Sequence, residues 1–146
     1  MLKGIHPLLH ADLLHALVSM GHGDELAIVD ANFPAASVGR RLLQLPTTTA
    51  TAALQAILTV FPIDAAVSPA ALTMSVIGEP AAVPDPVREF AGLLTTHIPP
   101  SALASLEREA FYARARDAFA IVRTAELRPY GNILLVKGVV NRYPSG

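Results

Sequence analysis

Short runs of apolar, often β-branched residues recur along the chain between segments whose apolar residues fall at helical spacing. Leu26-Ala27-Ile28-Val29, Leu72 to Ile77, Phe119-Ala120-Ile121-Val122-Arg123-Thr124 and Ile133 to Val136 are too short for helices and too continuous for a sheet with one wet face. They read as strands buried on both sides. Arg41 to Leu45 is a further candidate strand. Between these runs, Asp12 to Met20 carries Leu13, Leu14, Leu17 and Val18 at helical spacing, and Thr51 to Phe61 carries Leu54, Ile57, Leu58 and Phe61 on one face. Pro84 to Thr96, with Val87, Phe90 and Leu94 inward, and Leu106 to Asp117 complete the helical set. Gly21 stands where a left-handed cap would end the first helix, Phe33-Pro34 opens an irregular segment, and Pro99-Pro100 breaks the chain. Helices and strands therefore alternate throughout. The pattern predicts an α/β fold: a single domain over residues 1–146, three-layer α/β/α, around a mostly parallel or mixed sheet.

Composition adds an expectation about the surface. Hydrophobic residues make up 52% of the chain and charged residues 16%, where soluble domains carry about 25% charged. A domain of this size buries about 68–70% of its unfolded surface, so the surplus apolar residues call for partner subunits, and a homo-oligomer is expected. A membrane does not explain the surplus. The uncharged stretch from Leu42 to Ile63 is interrupted by Gln44, Pro46, Thr47 to Thr49, Gln55 and Pro62, and its apolar part falls short of the roughly 20 residues of a span. Near the start, Lys3, His6, Pro7, His10 and Asp12 leave no apolar core for a signal peptide. Eleven Lys and Arg against 12 Asp and Glu give a net charge of -1, so no positive field draws in nucleic acid. The absence of cysteine removes disulfides, thiolate nucleophiles and Cys-based zinc sites, and permits the expected cytoplasmic location.

Few residues carry the marks of a reaction site. Met20-Gly21-His22-Gly23-Asp24-Glu25 sets one imidazole between two glycines, where the backbone can turn sharply and leave the ring unshielded. An ordinary imidazole exchanges protons near neutral pH; the plainer alternative is a solvated loop histidine. This Gly-x-Gly is no dinucleotide fingerprint, since Leu26 replaces the third glycine and the strand follows the glycines. Asp30 ends an apolar strand at an edge where α/β proteins build sites, although an Asx turn or a helix cap for the Asn32–Pro34 loop would also explain it. His6, His10 and His15 lack the spacing of metal ligands and fit a surface-helix role. Tyr130-Gly131-Asn132 places a phenol and a carboxamide at the entrance to the last strand, as hydroxyl-binding groups or as an ordinary turn. Arg108, Phe111 and Tyr112 share a helical face, with Phe111 assigned to the core and Arg108 either a solvated charge or a donor to ligand oxygens.

Taken in order, these stretches resemble the family of small sugar mutarotases that comprises L-fucose mutarotase and D-ribose pyranase. The matching residues are 20–25, Asp30-Ala31-Asn32-Phe33-Pro34-Ala35, Arg108 through Phe111-Tyr112 to Val122, and Tyr130-Gly131-Asn132-Ile133-Leu134-Leu135 with Lys137-Gly138-Val139. Gly23-Asp24-Glu25, Phe33-Pro34-Ala35 and Arg108 look like the fucose branch. The resemblance implies His22 as general acid/base, Asp30 and Arg108 as substrate contacts, and Tyr130, Gly131 and Asn132 as the rest of the sugar site, with Tyr130 either assisting catalysis or only binding. It also implies a homodecameric ring with sites at subunit contacts. Two departures stand out: Ala125 replaces the glycine usual in a Thr-Gly-Glu turn, and the tail from Asn141 is longer. Anomer exchange needs only proton transfers, for which a positioned acid and base supply about 10²–10⁴-fold, so no metal or cofactor is expected. The alternatives are a D-ribose pyranase and a non-catalytic sugar-binding ring.

Overall fold

The computed structural model describes residues 1–142; the last four residues of the expected domain lie outside the described residues. Six strands form one mixed sheet in the order β2-β5-β1-β6-β3-β4. In chain order the elements are α1 (Ala11–Ser19), β1 (Glu25–Val29), α2 (Ala35–Val38), β2 (Leu42–Leu45), α3 (Ala50–Leu58), β3 (Ala71–Met74), α4 (Asp85–Leu94), β4 (Leu103–Leu106), α5 (Arg108–Asp117), β5 (Ala120–Thr124) and β6 (Ile133–Val136). Strands β2, β5 and β1 run parallel, as do β3 and β4, and β6 lies antiparallel between β1 and β3. The expected three-layer α/β fold with a mixed sheet is the fold observed.

Strand alternation divides the apolar residues into two cores. Leu26 and Ile28 of β1, Ala120 and Val122 of β5, and Ile133 and Leu135 of β6 pack with Leu13 and Leu17 of α1, with α3, and with Phe90 and Leu94 of α4. On the other face Ala27, Val29, Ile121 and Leu134 meet Ala35 of α2 and Phe111 and Ala115 of α5. The three central strands are thus covered on both sides, which is why their sequences read as unbroken apolar runs.

Several local expectations are corrected. Helix α1 does not end in a left-handed glycine: Met20 caps it in extended conformation, and the positive φ of 87° falls at Gly23. His10 takes the N-cap, its ring accepting the Leu13 N–H at 3.2 Å. The segment after Phe33-Pro34 holds the one-turn helix α2. Leu106 belongs to β4, a strand the sequence reading missed because Leu103-Ala104-Ser105-Leu106 is only partly buried at the sheet edge. Strand β3 stops at Met74, and Ser75–Ile77 leave the sheet for a turn with Gly78 at φ 78°. Ala125 stands at negative φ, so the turn after β5 does not need glycine there.

Candidate functional site

The strand directions bring the ends of β1, β3, β4 and β5 and the start of β6 to one edge of the sheet. In open α/β sheets the loops beyond such an edge are where ligands bind. Here they surround a cleft of about 280 Å³ whose polar lining is Asp30, Asn32, Arg108, Tyr112, Tyr130 and Asn132. At roughly 30 Å³ per water, that volume holds the equivalent of about nine waters, room for one small polyol ring.

Asp30 is the best-held of these groups. Its Oδ1 accepts the Asn32 N–H at 3.0 Å and its Oδ2 the Asn132 carboxamide at 3.2 Å, while the Asp30 N–H donates to Asn132 Oδ1 at 2.9 Å. Asn132 thus latches β1 to β6 as well as facing the cleft. Burial pushes the Asp30 carboxyl above its ordinary range and the nearby charge of Glu126 adds to this, against the hydrogen bonds that favour its ionised form. The Asx turn onto Asn32 anticipated from the sequence is present, and it coexists with the position in the cleft.

Tyr130 adopts φ 62°, an uncommon conformation for a side-chain-bearing residue that re-aims the chain before β6. Its phenol oxygen accepts the Ile77 N–H at 3.2 Å, which leaves the hydroxyl proton to donate into the cleft. Gly131 does not line the cleft; a Cβ there would stand 2.7 Å from Glu126 Cγ, so close packing requires glycine. Arg108, half exposed, lies 3.5 Å from Glu109, a contact weak enough to yield to a ligand. Tyr112, one helical turn beyond Arg108, reaches the same cleft and meets Phe33 edge-on at 5.2 Å. Sequence reasoning placed Tyr112 on the Arg108 face without assigning it to a site.

His22 lies elsewhere. It precedes β1, whereas Asp30 follows it, and a five-residue strand spans about 17 Å. The Gly21–Gly23 turn is held by Gly21 N–H on Asp24 Oδ2 at 2.7 Å and by the Gly23 N–H on the Lys137 carbonyl at 2.9 Å. Lys137 in turn donates Nζ to the Leu17 and Met20 carbonyls at the end of α1. The imidazole, 55% exposed, pairs through Nε2 with Asp64 Oδ2 at 2.9 Å. Asp64 is buried, and its Oδ1 accepts the Ala66 N–H at 2.8 Å. That N–H, with His22 beside it, holds the carboxyl below its ordinary range. An ionised carboxylate can only accept, so Nε2 carries the proton, and among the described residues Nδ1 makes no hydrogen bond. Asp64 was not singled out from sequence: its 42-residue separation from His22 is closed only by the pairing of Ile63 with Lys137. Beside this pair is a hollow of about 320 Å³ that includes the exposed Val139.

The molecule thus has two separate sets of groups on opposite edges of one sheet, a polar cleft and an oriented imidazole. This arrangement is that of a small single-domain α/β protein with a ligand-sized cleft at one sheet edge. A model of the RbsD / FucU transport protein family matches residues 3–140, and the chain belongs to that family. Among solved structures it is similar to the fucose mutarotase in complex with L-fucose from Streptococcus pneumoniae, at 36% identity over 95% of this chain and 99% of that one, with a TM-score of 0.90. FucU from Bifidobacterium longum is 38% identical over 94% of this chain and 99% of its own, with a TM-score of 0.89. Bacillus subtilis RbsD complexed with D-ribose, 23% identical over 96% and 99% with a TM-score of 0.74, shares the fold.

Proposed function

We propose that the protein is a mutarotase that interconverts the α and β anomers of a free monosaccharide, with L-fucose the expected sugar. The observation that carries this reading is the cleft formed by Asp30, Arg108, Tyr130 and Asn132, in a chain 36% identical to a fucose mutarotase over nearly its whole length. The cleft mixes acceptors (Asp30, the Asn132 carbonyl) with donors (Arg108, the Tyr130 hydroxyl), the set a ring of hydroxyls requires.

Anomer exchange removes the proton of the anomeric hydroxyl, protonates the ring oxygen as the C–O bond opens to the aldehyde, and recloses on the other face with the proton movements reversed. His22 supplies this shuttle through Nδ1, and Asp64 orients the ring and stabilises it when protonated. Tyr130 donates to a sugar oxygen and assists or only binds; Arg108 and Asp30 hold the remaining hydroxyls.

His22 of one copy cannot meet a sugar held by Asp30 of the same copy across about 17 Å of strand. Each site therefore takes its imidazole from a second subunit, in keeping with the homodecameric ring that the family resemblance implies. The exposed apolar residues support this reading, since Val139 borders the His22 hollow and Ile77 and Leu127 border the sugar cleft. Among the described residues, no helix is long and apolar enough to cross a membrane; a cytoplasmic location belongs to the same reading.

Saturation transfer between anomeric proton signals, run with L-fucose, D-ribose and D-galactose, tests the activity. Exchange fastest with L-fucose is expected, and its absence with every sugar would leave a sugar-binding ring. Shared sites are tested by co-expressing His22→Ala with Asp30→Asn, each inactive alone. Random assembly restores about a quarter of the sites if each joins two copies, and none if one copy supplies both residues.

A further inference from the structure

The segment joining β5 to β6 faces two ways. Leu127, Pro129 and Tyr130 line the cleft, whereas Glu126 and Arg128 are directed behind it, toward α3 and α4. Glu126 is 2% exposed, and one cation holds it. Arg128 donates Nε to Oε1 at 2.9 Å and Nη2 to Oε2 at 3.0 Å, and its backbone N–H reaches Oε1 at 3.1 Å. The same guanidinium pairs through Nη1 with Glu89 Oε2 on α4 and through Nη2 with Glu89 Oε1 at 3.3 Å, where the Thr51 hydroxyl of α3 also donates at 3.0 Å. A single planar fork therefore ties the cleft segment to α4 directly, and to α3 through the Glu89–Thr51 hydrogen bond.

Glu126 abuts the cleft from behind. The Gly131 backbone is wedged against it, with room for no Cβ, and also approaches Asp30. The Ala31 N–H donates to the Glu126 carbonyl at 2.9 Å. Anything that moves or unpairs Glu126 is thus transmitted to Asp30 and Tyr130 through direct packing.

We propose that Arg128, which touches no part of the cleft itself, is a positioning residue for the sugar site. By neutralising Glu126 and anchoring it to Glu89, it fixes the Tyr130–Asn132 segment and shields Asp30 from a second negative charge. This rests on the reading of that cleft as the sugar site. The charged groups facing the cluster are Glu89 on α4 and Asp30 at the end of β1; Arg108, Tyr112 and Tyr130 line the cleft on the other side. Among the described residues Asp30 has no cationic partner. The electrostatics agree: Arg128 first among its neighbours holds Glu126 below the ordinary carboxylate range, whereas Asp30 is pushed up by burial and by Glu126. Without the guanidinium the two carboxylates would compete for a proton, as like charges at close range do.

The test compares wild type, Arg128→Met, Arg128→Lys and the double variant Arg128→Met/Glu126→Gln. L-fucose affinity is read by NMR titration and anomer exchange by saturation transfer, both from pH 4 to 8. Arg128→Met is expected to weaken affinity by about ten- to a hundred-fold, the cost of misplaced binding groups, and to move the acid limb of both profiles upward by about one pH unit or more. The double variant should return the limb toward its wild-type position. Arg128→Lys keeps the charge and loses the fork, so it should hold the limb while losing several-fold in affinity, and it carries the test if Arg128→Met does not fold. A lower thermal midpoint with affinity and pH profile unchanged would make Arg128 merely structural and overturn the proposal. If wild type binds L-fucose without exchanging it, the mutarotase reading falls and the affinity profiles alone decide the role of Arg128. If wild type binds none of the three sugars used above, both fall.

Discussion

His22 is the residue on which turnover is expected to depend. Its ring lies half in solvent between two glycines, and among the described residues its one side-chain hydrogen bond is to Asp64. His22→Ala opens no core cavity but takes the imidazole partner from the buried Asp64, so stability should fall by about 1–2 kcal/mol, while anomer exchange falls by about 10²–10⁴-fold, or about 3–5 kcal/mol of transition-state stabilisation. Retained exchange in that variant would move the proton shuttle to Asp30 or Tyr130. The buried carboxylates make a second residue-level statement. Asp64 and Glu126 sit below their ordinary range, through the Ala66 N–H and Arg128 respectively, so each adds stability that is present above the unfolded value and lost as pH falls through the folded one. The thermal midpoint should accordingly drop steeply below about pH 4. Asp30, raised by burial, acts in the opposite sense: its ionisation costs stability above its folded value, and acidification returns it. A midpoint flat from pH 5 to 3 would contradict these assignments. His22, Asp30, Tyr130 and Asn132 were legible as candidates because glycine flanks, strand ends and turn residues mark them locally, whereas Arg108 stood out from its helical face only through the family resemblance. Asp64 and Tyr112 were not, because an apolar flank or a helical offset looks the same in a core.

At the level of elements, the cleft depends on how tightly the segment between β5 and β6 packs against the end of β1. Gly131→Ala tests this. The added methyl would stand 2.7 Å from the buried Glu126 side chain, so either the carboxylate or the segment must shift. A loss of about 1–3 kcal/mol is expected from overpacking, read by chemical denaturation, together with weaker sugar binding; a fully stable variant with native affinity would show that the segment yields freely. The strands of the sheet centre were readable because burial on both faces leaves nothing but apolar residues. Strand β4 was not, since its half-exposed edge position allows Ala104 and Ser105 and removes the signal.

For the whole molecule, the low charge and the exposed Val18, Leu127, Val139 and Val140 lead to one expectation. Light scattering at micromolar concentration should report a large homo-oligomer, and a monodisperse 15.4 kDa particle would leave the apolar surface unexplained and the shared-site reading without support. Helix periods, double-sided strands and the glycine-flanked imidazole are properties of neighbouring residues, and the sequence by itself determined the layered α/β class and most of the candidate groups. Which groups share a site was decided by tertiary structure alone. The order β2-β5-β1-β6-β3-β4 and the antiparallel insertion of β6 bring Asn132 to Asp30 and Lys137 to the His22 turn. The same strand directions set His22 and Asp30 on opposite edges. Strand order depends on the packing of helices onto both faces, a sum over contacts far apart in the chain that no local pattern encodes.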